Sequence, residues 1–257
     1  MNRIDKLFAG KKRDIFSVYF TAGFPHFDDT VPVITELAAR GVDMIEVGIP
    51  FSDPMADGPV IQQSSTVSLN NGMTLRKLFA QLEGVREKVD IPLIMMGYLN
   101  PIMQYGVENF CKSCVAVGVD GMIIPDLPFA DYLRDFKPVL ERYGLYCIML
   151  ITPETSEERI RLIDEHTSGF IYMVSTASTT GAKDSFDART LEYFGRVNAM
   201  NLRNPRMIGF GISNKATFDA ASEHAAGAII GSAFVRLLGE SPSVKEAVAG
   251  LAAKIGR

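Results

Sequence analysis

The residues best suited to chemistry are three carboxylates in one stretch of the chain, Glu46, Asp53 and Asp57. Glu46 lies within an apolar, strand-like run, and alternation along a strand puts its side chain on the same face as Met44 and Gly48. A carboxyl among apolar groups loses hydration, so its charged form becomes costlier and its pKa rises toward neutrality. Glu46 is therefore the leading candidate for a general acid and base.

Each of these carboxylates also has a structural explanation. Asp beside Pro and Gly is common in turns, so the loop 51–59 could be only a rigid turn. Glu46 could pair with a buried cation, but the neighbouring predicted strands supply apolar residues instead. Those residues are Met95, Met96, Ile123 and Ile124. The pattern favours an acid/base site in which Glu46 is one half and the two loop aspartates supply the other.

Short apolar runs alternate with longer amphipathic segments along the whole chain, which is typical of a parallel sheet covered by helices. The eight strand-like runs are 15–20, 44–47, 93–96, 121–124, 146–151, 170–174, 207–210 and 228–230. Helical patterns between them include 30–39, 75–89, 131–143 and 156–165. An open doubly wound sheet is disfavoured, because no G-x-G-x-x-G turn follows the first run. The sequence predicts an α/β fold, a (β/α)8 TIM barrel in one domain over residues 1–257.

Three late loops carry features of a phosphate site at the carboxyl end of such a barrel. The pairs Thr180-Gly181 and Gly231-Ser232 follow the sixth and eighth runs, and the segment 209–213 follows the seventh. Glycines let the backbone approach an anion, and a short extra helix predicted at 233–238 would point free N–H groups at it. Each glycine alone could be a turn residue and Ser232 only an N-cap, but their joint placement predicts a phosphate ester substrate.

Composition disfavours nucleic acid and membranes as partners, and the cysteine and histidine positions disfavour a bound metal. The net charge of −4 and the pI near 5.5 provide no basic field for nucleic acid, and no apolar run approaches membrane-spanning length. The first five residues contain no apolar segment of the signal-peptide kind, so a cytoplasmic location is predicted. Cys111 and Cys114 lie on a predicted helix without a second ligand pair, and the three histidines are scattered. No metal site is predicted.

Several motifs along the chain are together specific enough to indicate a known protein family. They are Phe20-Thr21-Ala22-Gly23-Phe24-Pro25, the long run 46–59 (EVGIPFSDPMADGP), Asn100-Pro101-Ile102, Pro125-Asp126-Leu127-Pro128, Phe210-Gly211-Ile212-Ser213 and Gly231-Ser232-Ala233. Over essentially its whole length the chain resembles the alpha subunits of tryptophan synthase. The resemblance implies a (β/α)8 barrel that cleaves indole-3-glycerol phosphate into indole and glyceraldehyde 3-phosphate by a retro-aldol reaction, with no cofactor in this subunit.

The resemblance also implies roles for individual residues. Glu46 matches the glutamate that protonates the indole ring at C3, and Asp57 matches the aspartate that holds the indole N–H. Substrate-binding positions of the family fall on Tyr19, Ile61, Met96, Tyr172, Thr180, Gly181, Phe210, Gly211, Ile212, Gly231 and Ser232. Tyr172 would lie near the glycerol moiety. Tyr19, Ile61 and Met96 would line the indole pocket, and the glycine loops would bind the phosphate.

A partner subunit is implied as well. Asp53, Pro54 and Asn100 match regions that, in the family, face a pyridoxal-phosphate beta subunit within an alpha2beta2 heterotetramer. Three alternatives stay open at this point: a stand-alone lyase that releases indole, another phosphate-binding barrel such as a sugar-phosphate isomerase or epimerase, and a barrel that only activates a partner. A binding-only module has no need of an acid in an apolar pocket, which disfavours the last.

Overall fold

Eight parallel strands close into a barrel in the computed structural model, which describes residues 1–175 and 186–257. Strand order follows the chain, and the last strand pairs with the first. The strands are β1 Ile15–Thr21, β2 Met44–Gly48, β3 Leu93–Met96, β4 Gly121–Ile123, β5 Tyr146–Ile151, β6 Ile171–Val174, β7 Arg206–Gly209 and β8 Gly227–Ile230. All eight predicted runs form strands, with ends that differ by at most one residue. The predicted (β/α)8 barrel is confirmed.

Helices follow the strands and cover the outside of the barrel. They are α1 Arg3–Gly10, α2 Thr30–Ala39, α3 Pro59–Asn70, α4 Leu75–Leu82, α5 Leu99–Tyr105, α6 Val107–Ala116, α7 Phe129–Asp131, α8 Lys137–Tyr143, α9 Glu157–His166, α10 Ala188–Ala199, α11 Lys215–His224, α12 Ser232–Glu240 and α13 Val244–Ile255. A π-helical turn, Tyr132–Phe136, joins α7 to α8.

One predicted helix is wrong in its extent. The pattern over 75–89 predicts a single helix, but α4 ends at Leu82 and a separate 3-10 turn, Val85–Glu87, follows. Gly84 between them has φ of 72°, a left-handed conformation that stops a helix and that glycine adopts without steric cost. The apolar periodicity continues across this break because both pieces bury their apolar side chains against the same core.

Alternation along the strands divides the apolar residues into two cores. Ile45 and Val47 point outward into the layer between sheet and helices, whereas Met44 points into the barrel. Ile4 and Phe8 of α1 belong to the interior core, and the Phe8 and Phe170 rings lie 5.8 Å apart. Helix α1 therefore closes the amino-terminal end of the barrel, which leaves the carboxyl end for a site.

Candidate active site

A cavity of about 230 Å³ lies at the carboxyl end of the barrel. It is lined by Tyr19, Glu46, Asp57, Gly58, Pro59, Val60, Ile61, Met96, Tyr172, Phe210, Gly211, Ile212, Ile229, Gly231, Ser232 and Arg236. The structure thus brings together all the catalytic and substrate-binding positions implied by the resemblance that it describes. The two other predicted positions, Thr180 and Gly181, lie outside the described residues. The roles assigned to these residues stay predictions.

Glu46 is fully buried on β2, and neither of its carboxyl oxygens has a hydrogen-bond partner. Burial raises the pKa of Glu46 from the ordinary 4.5 to about 8, because the charged form loses its hydration. The nearby Ser17 hydroxyl lowers this pKa in part, although the two groups do not meet the geometry of a hydrogen bond. A carboxyl with this pKa can give and take a proton near neutrality, as an acid/base group must.

Two tyrosines flank Glu46 inside the barrel, and two glycines make room for them. Tyr19 on β1 is opposite Glu46 in the strand register, and its ring and hydroxyl occupy the place that a Cβ on Gly48 would take. Tyr172 on β6 fills the corresponding place beside Gly209 of β7. Both tyrosines line the cavity. Larger residues at the two glycines would push these rings into the space that a ligand would occupy.

Asp57 is held from a neighbouring loop. The Tyr98 hydroxyl donates a hydrogen bond of 2.8 Å to Oδ2 of Asp57 and accepts one of 2.9 Å from the Ala56 N–H. Partial burial raises the pKa of Asp57, and the bond from Tyr98 lowers it, since a donor favours the charged form. Tyr98 is not among the residues that line the cavity and lies behind Asp57, where it orients the carboxylate.

The second loop aspartate does not join the site. Asp53 is exposed and accepts a 2.5 Å hydrogen bond from the Ser52 hydroxyl. The prediction that both aspartates complete the acid/base site is therefore wrong for Asp53, because the loop turns its side chain to solvent. The four apolar neighbours predicted for Glu46 also divide by strand alternation. Met96 and Ile123 lie in the barrel interior, and Met95 and Ile124 lie in the outer core.

The loop after β7 has an unusual backbone. Phe210 and Gly211 have φ angles of 67° and 73°, and Phe210 is a non-glycine residue in the left-handed region, which costs free energy. The Ser175 hydroxyl donates a 2.6 Å hydrogen bond to the Phe210 carbonyl and so helps to hold this turn. The Phe210 ring packs edge-on against Tyr172. The turn brings the glycine backbone to the cavity wall, where an anion could approach it.

Helix α12 begins at the cavity, with Gly231 as its N-cap and Ser232 as its first residue. No side chain caps this helix, so its first N–H groups and the positive end of its dipole are available to an anion. Arg236, one turn further along, also lines the cavity and has no ion-pair or hydrogen-bond partner within the described chain. Sequence reasoning missed Arg236. A cation four residues after the predicted serine on the same helix face is the signal that could have found it.

Glu46 gives the stability of the fold a definite dependence on pH. The pKa of Glu46 is about 8 in the folded chain against an ordinary 4.5, so folding favours the protonated form. The contribution of that form to the free energy of unfolding is fully present below pH 4.5 and is lost as the pH rises through 8. A tenfold change in proton affinity corresponds to about 1.4 kcal/mol. We expect Glu46→Gln to raise the free energy of unfolding at pH 9 by up to about 5 kcal/mol, and by much less at pH 5. Urea unfolding at the two pH values measures this, and equal changes at both would contradict it.

The described residues contain no group of three or more His, Cys, Asp or Glu placed to hold a metal ion. Cys111, Cys114 and Cys147 are buried as free thiols, and burial raises the pKa of each. Within the same part of the chain, none of the helices has the length and apolar character needed to span a bilayer.

Comparison with known proteins identifies the family of this chain. Residues 6–255 match the family described as Tryptophan synthase alpha chain. The chain of that name from Parabacteroides distasonis is 64% identical, with 96% of each chain covered, and the one from Bacteroides thetaiotaomicron is 62% identical, with 96% of this chain and 97% of the relative covered.

Solved structures give the same result for the fold. The crystal structure of tryptophan synthase subunit alpha from Legionella pneumophila superposes with a TM-score of 0.89 at 32% identity, covering 100% of this chain and 98% of that one. Tryptophan synthase from M. tuberculosis gives 0.86 at 29% identity, with both chains covered completely. A family match over nearly the whole length, together with relatives above 60% identity, shows that this chain belongs to the tryptophan synthase alpha chain family.

Proposed function

We propose that the cavity cleaves indole-3-glycerol phosphate into indole and glyceraldehyde 3-phosphate, the reaction implied by membership of this family. The observation that carries the proposal is the pairing of two carboxyl groups in different surroundings. Glu46 is fully buried with a pKa near neutrality, and Asp57 is partly buried and accepts a hydrogen bond. Environments that push two carboxyl groups apart in proton affinity are typical of acid/base pairs.

Glu46 begins the proposed reaction as a carboxylic acid. It donates its proton to C3 of the indole ring, which leaves a cationic ring and a Glu46 carboxylate. The carboxylate then removes the proton of the hydroxyl on the adjacent glycerol carbon. The electron pair of that O–H bond forms the aldehyde, the carbon–carbon bond breaks, and its electrons return to the ring. Protons balance, and Glu46 ends as the acid.

Asp57 stabilises the charge that develops between these steps. As a carboxylate it accepts a hydrogen bond from the indole N–H and opposes the positive charge on the protonated ring. The bond from Tyr98 favours the ionised form of Asp57 against the effect of burial and orients its carboxylate, so the charge is in position before the reaction begins. The ring itself would lie against the apolar wall of Tyr19, Ile61 and Met96.

The phosphate would bind at the opposite wall. Gly211 and Gly231 expose backbone there, Ser232 adds a hydroxyl at the start of α12, and Arg236 supplies a full positive charge. Thr180 and Gly181 are proposed to complete this end on the strength of the family resemblance. No cofactor is needed on this chain for the proposed chemistry, because each proton transfer is carried by Glu46.

Removal of the Arg236 charge should weaken substrate binding more than catalysis. We expect Arg236→Ala to raise KM about three- to tenfold with kcat nearly unchanged, because an exposed charge contributes about 1 kcal/mol to attraction of a phosphate. Arg236→Lys should retain most of the affinity. Steady-state kinetics at 20 mM and 500 mM salt measure the effect, which should shrink at high salt because of screening. Arg13→Ala is the matched control, because Arg13 is exposed and lies just before β1, at the amino-terminal end of the barrel. A loss confined to kcat in Arg236→Ala would contradict the assignment.

We also propose that the chain works as one domain with a pyridoxal-phosphate beta subunit, in an alpha2beta2 assembly in the cytoplasm. Two of the few large exposed apolar side chains support a partner on this side of the barrel. Met55, 89% exposed, follows Asp53 and Pro54 in the loop after β2, and Met103, 53% exposed, follows Asn100 on α5. Exposed apolar groups near a site mark interaction surfaces when they cluster.

Indole release from indole-3-glycerol phosphate by the purified chain tests the proposal, with and without a tryptophan synthase beta subunit. Slow release that rises strongly with the partner supports both the reaction and the assembly. Equal rates in the two arms would favour a stand-alone lyase. No release in either arm would overturn the proposed reaction, and a panel of sugar phosphates would then test the isomerase and epimerase alternative.

A further inference from the structure

Two buried polar side chains without hydrogen-bond partners lie on neighbouring strands inside the barrel. The Ser17 hydroxyl on β1 is fully buried and has no hydrogen-bond partner, and the same is true of both carboxyl oxygens of Glu46 on β2. The interior residues beside them, Ile15, Met44 and Ile94, offer no polar atoms. Buried polar groups are almost always satisfied in native proteins, so such a pair calls for a physical explanation.

The strand register places these two groups as diagonal neighbours. Ser17 is opposite Met44, and Tyr19 is opposite Glu46, so Ser17 lies one inward-facing position below Glu46, toward the amino end of the barrel. The flexible glutamate side chain spans such a step. The Ser17 hydroxyl is also close enough to act on the proton affinity of Glu46. The register and this effect together make each group an available hydrogen-bond partner of the other.

We propose that Ser17 is a positioning residue for Glu46. Its hydroxyl donates a hydrogen bond to the Glu46 carboxylate and accepts a hydrogen bond from the acid form. A hydroxyl can do both, which a backbone N–H or a lysine cannot. This deepens the proposed function and rests on it, because Glu46 there gives up one proton and accepts another. The hydrogen bond is stronger to the charged form. Ser17 therefore holds Glu46 in both states and eases departure of its proton.

Other titratable groups line the cavity that Glu46 lines, or lie directly behind it. They are Tyr19 on β1, Tyr172 on β6, Asp57 on the loop after β2, with Tyr98 behind it, and Arg236 on α12. Burial raises the pKa of each of the three tyrosines well above neutrality, so they stay protonated there. Facing residues on β3, β4 and β8 are apolar: Ile94, Met96, Ile123 and Ile229. Among the described residues that line the cavity, Glu46 and Asp57 are therefore the two that carry carboxyl groups.

The test is direct titration of the Glu46 carboxyl carbon by NMR in the full chain labelled with 13C-glutamate. The Glu46→Gln variant identifies the resonance. We expect a midpoint near 8 in the natural sequence, and a three- to tenfold tighter proton affinity in Ser17→Ala, which moves the midpoint up by about 0.5 to 1. Ser17→Thr keeps the hydroxyl and should restore the original midpoint.

Ser222→Ala is the matched control, because Ser222 is also buried with an unpartnered hydroxyl but lies on α11, in the outer helix layer, and not on a strand that pairs with β2. An unchanged midpoint in Ser17→Ala, or an equal shift in Ser222→Ala, would overturn the proposal. The pH profile of indole release supplies the second readout, since its alkaline limb should move up with the midpoint. The titration needs no substrate. If the Glu46 midpoint moves in Ser17→Ala but no variant or natural chain releases indole, the positioning role is supported and the proposed reaction is refuted. Failure of the positioning role and failure of the reaction therefore give different results.

Discussion

Glu46→Gln is expected to lower kcat for indole release by about 10³-fold or more, because it removes the group that carries both protons of the proposed reaction. Glutamine has nearly the same shape and cannot ionise, so the cavity should persist. Binding of the substrate should change little, since the amide still fills the floor between Tyr19 and Tyr172. Single-turnover kinetics with saturating substrate measure the chemical step directly.

The comparison variant for this prediction is Glu223→Gln on the exposed face of α11, which removes the same charge away from the cavity. It should leave the rate within about twofold of the natural chain, since isolated surface changes have small effects. Retention of more than a tenth of the activity in Glu46→Gln would exclude Glu46 as the acid and base. The expected gain in stability at pH 9 shows independently that the variant is folded.

Asp57→Asn should produce the second-largest loss, about 10²- to 10³-fold in kcat/KM. The amide can still accept a hydrogen bond from the indole N–H, but it carries no charge to oppose a cationic ring, and charge stabilisation of this kind is commonly worth that factor. Asp28→Asn, at an exposed position on the turn Phe27–Asp29, removes one carboxylate charge without touching the cavity. Equal activities of the two variants would mean that Asp57 contributes shape alone.

Tyr98→Phe separates the charge of Asp57 from its orientation. Loss of the 2.8 Å hydrogen bond should cost about tenfold in kcat/KM, the usual worth of a bond to a charged group. In the Asp57→Asn background the same change should cost much less, because its effect acts through the carboxylate. Additive losses in this double-mutant cycle would contradict the positioning role of Tyr98.

Local sequence pattern predicted most of the fold. All eight strands and the helix Thr30–Ala39 follow from short apolar runs and amphipathic segments bounded by turn residues, since burial pattern and secondary structure agree there. The pattern failed at 75–89, where a left-handed Gly84 divides the helix although apolar periodicity continues. Periodicity reports which side chains are buried, and it does not report a single backbone residue that changes conformation.

The sequence by itself determined the barrel, the inward direction of Glu46 and the glycine loops that meet at one end, because each depends on strand alternation and on chain order. Tertiary structure alone decided which aspartate enters the cavity, that Tyr98 reaches across two loops to Asp57, and that Arg236 faces the same space. Ser17 and Glu46 lie 29 positions apart in the sequence, and only strand pairing makes them neighbours. Contacts of this kind depend on the closure of the barrel, which joins residues whose separation along the chain carries no information about distance.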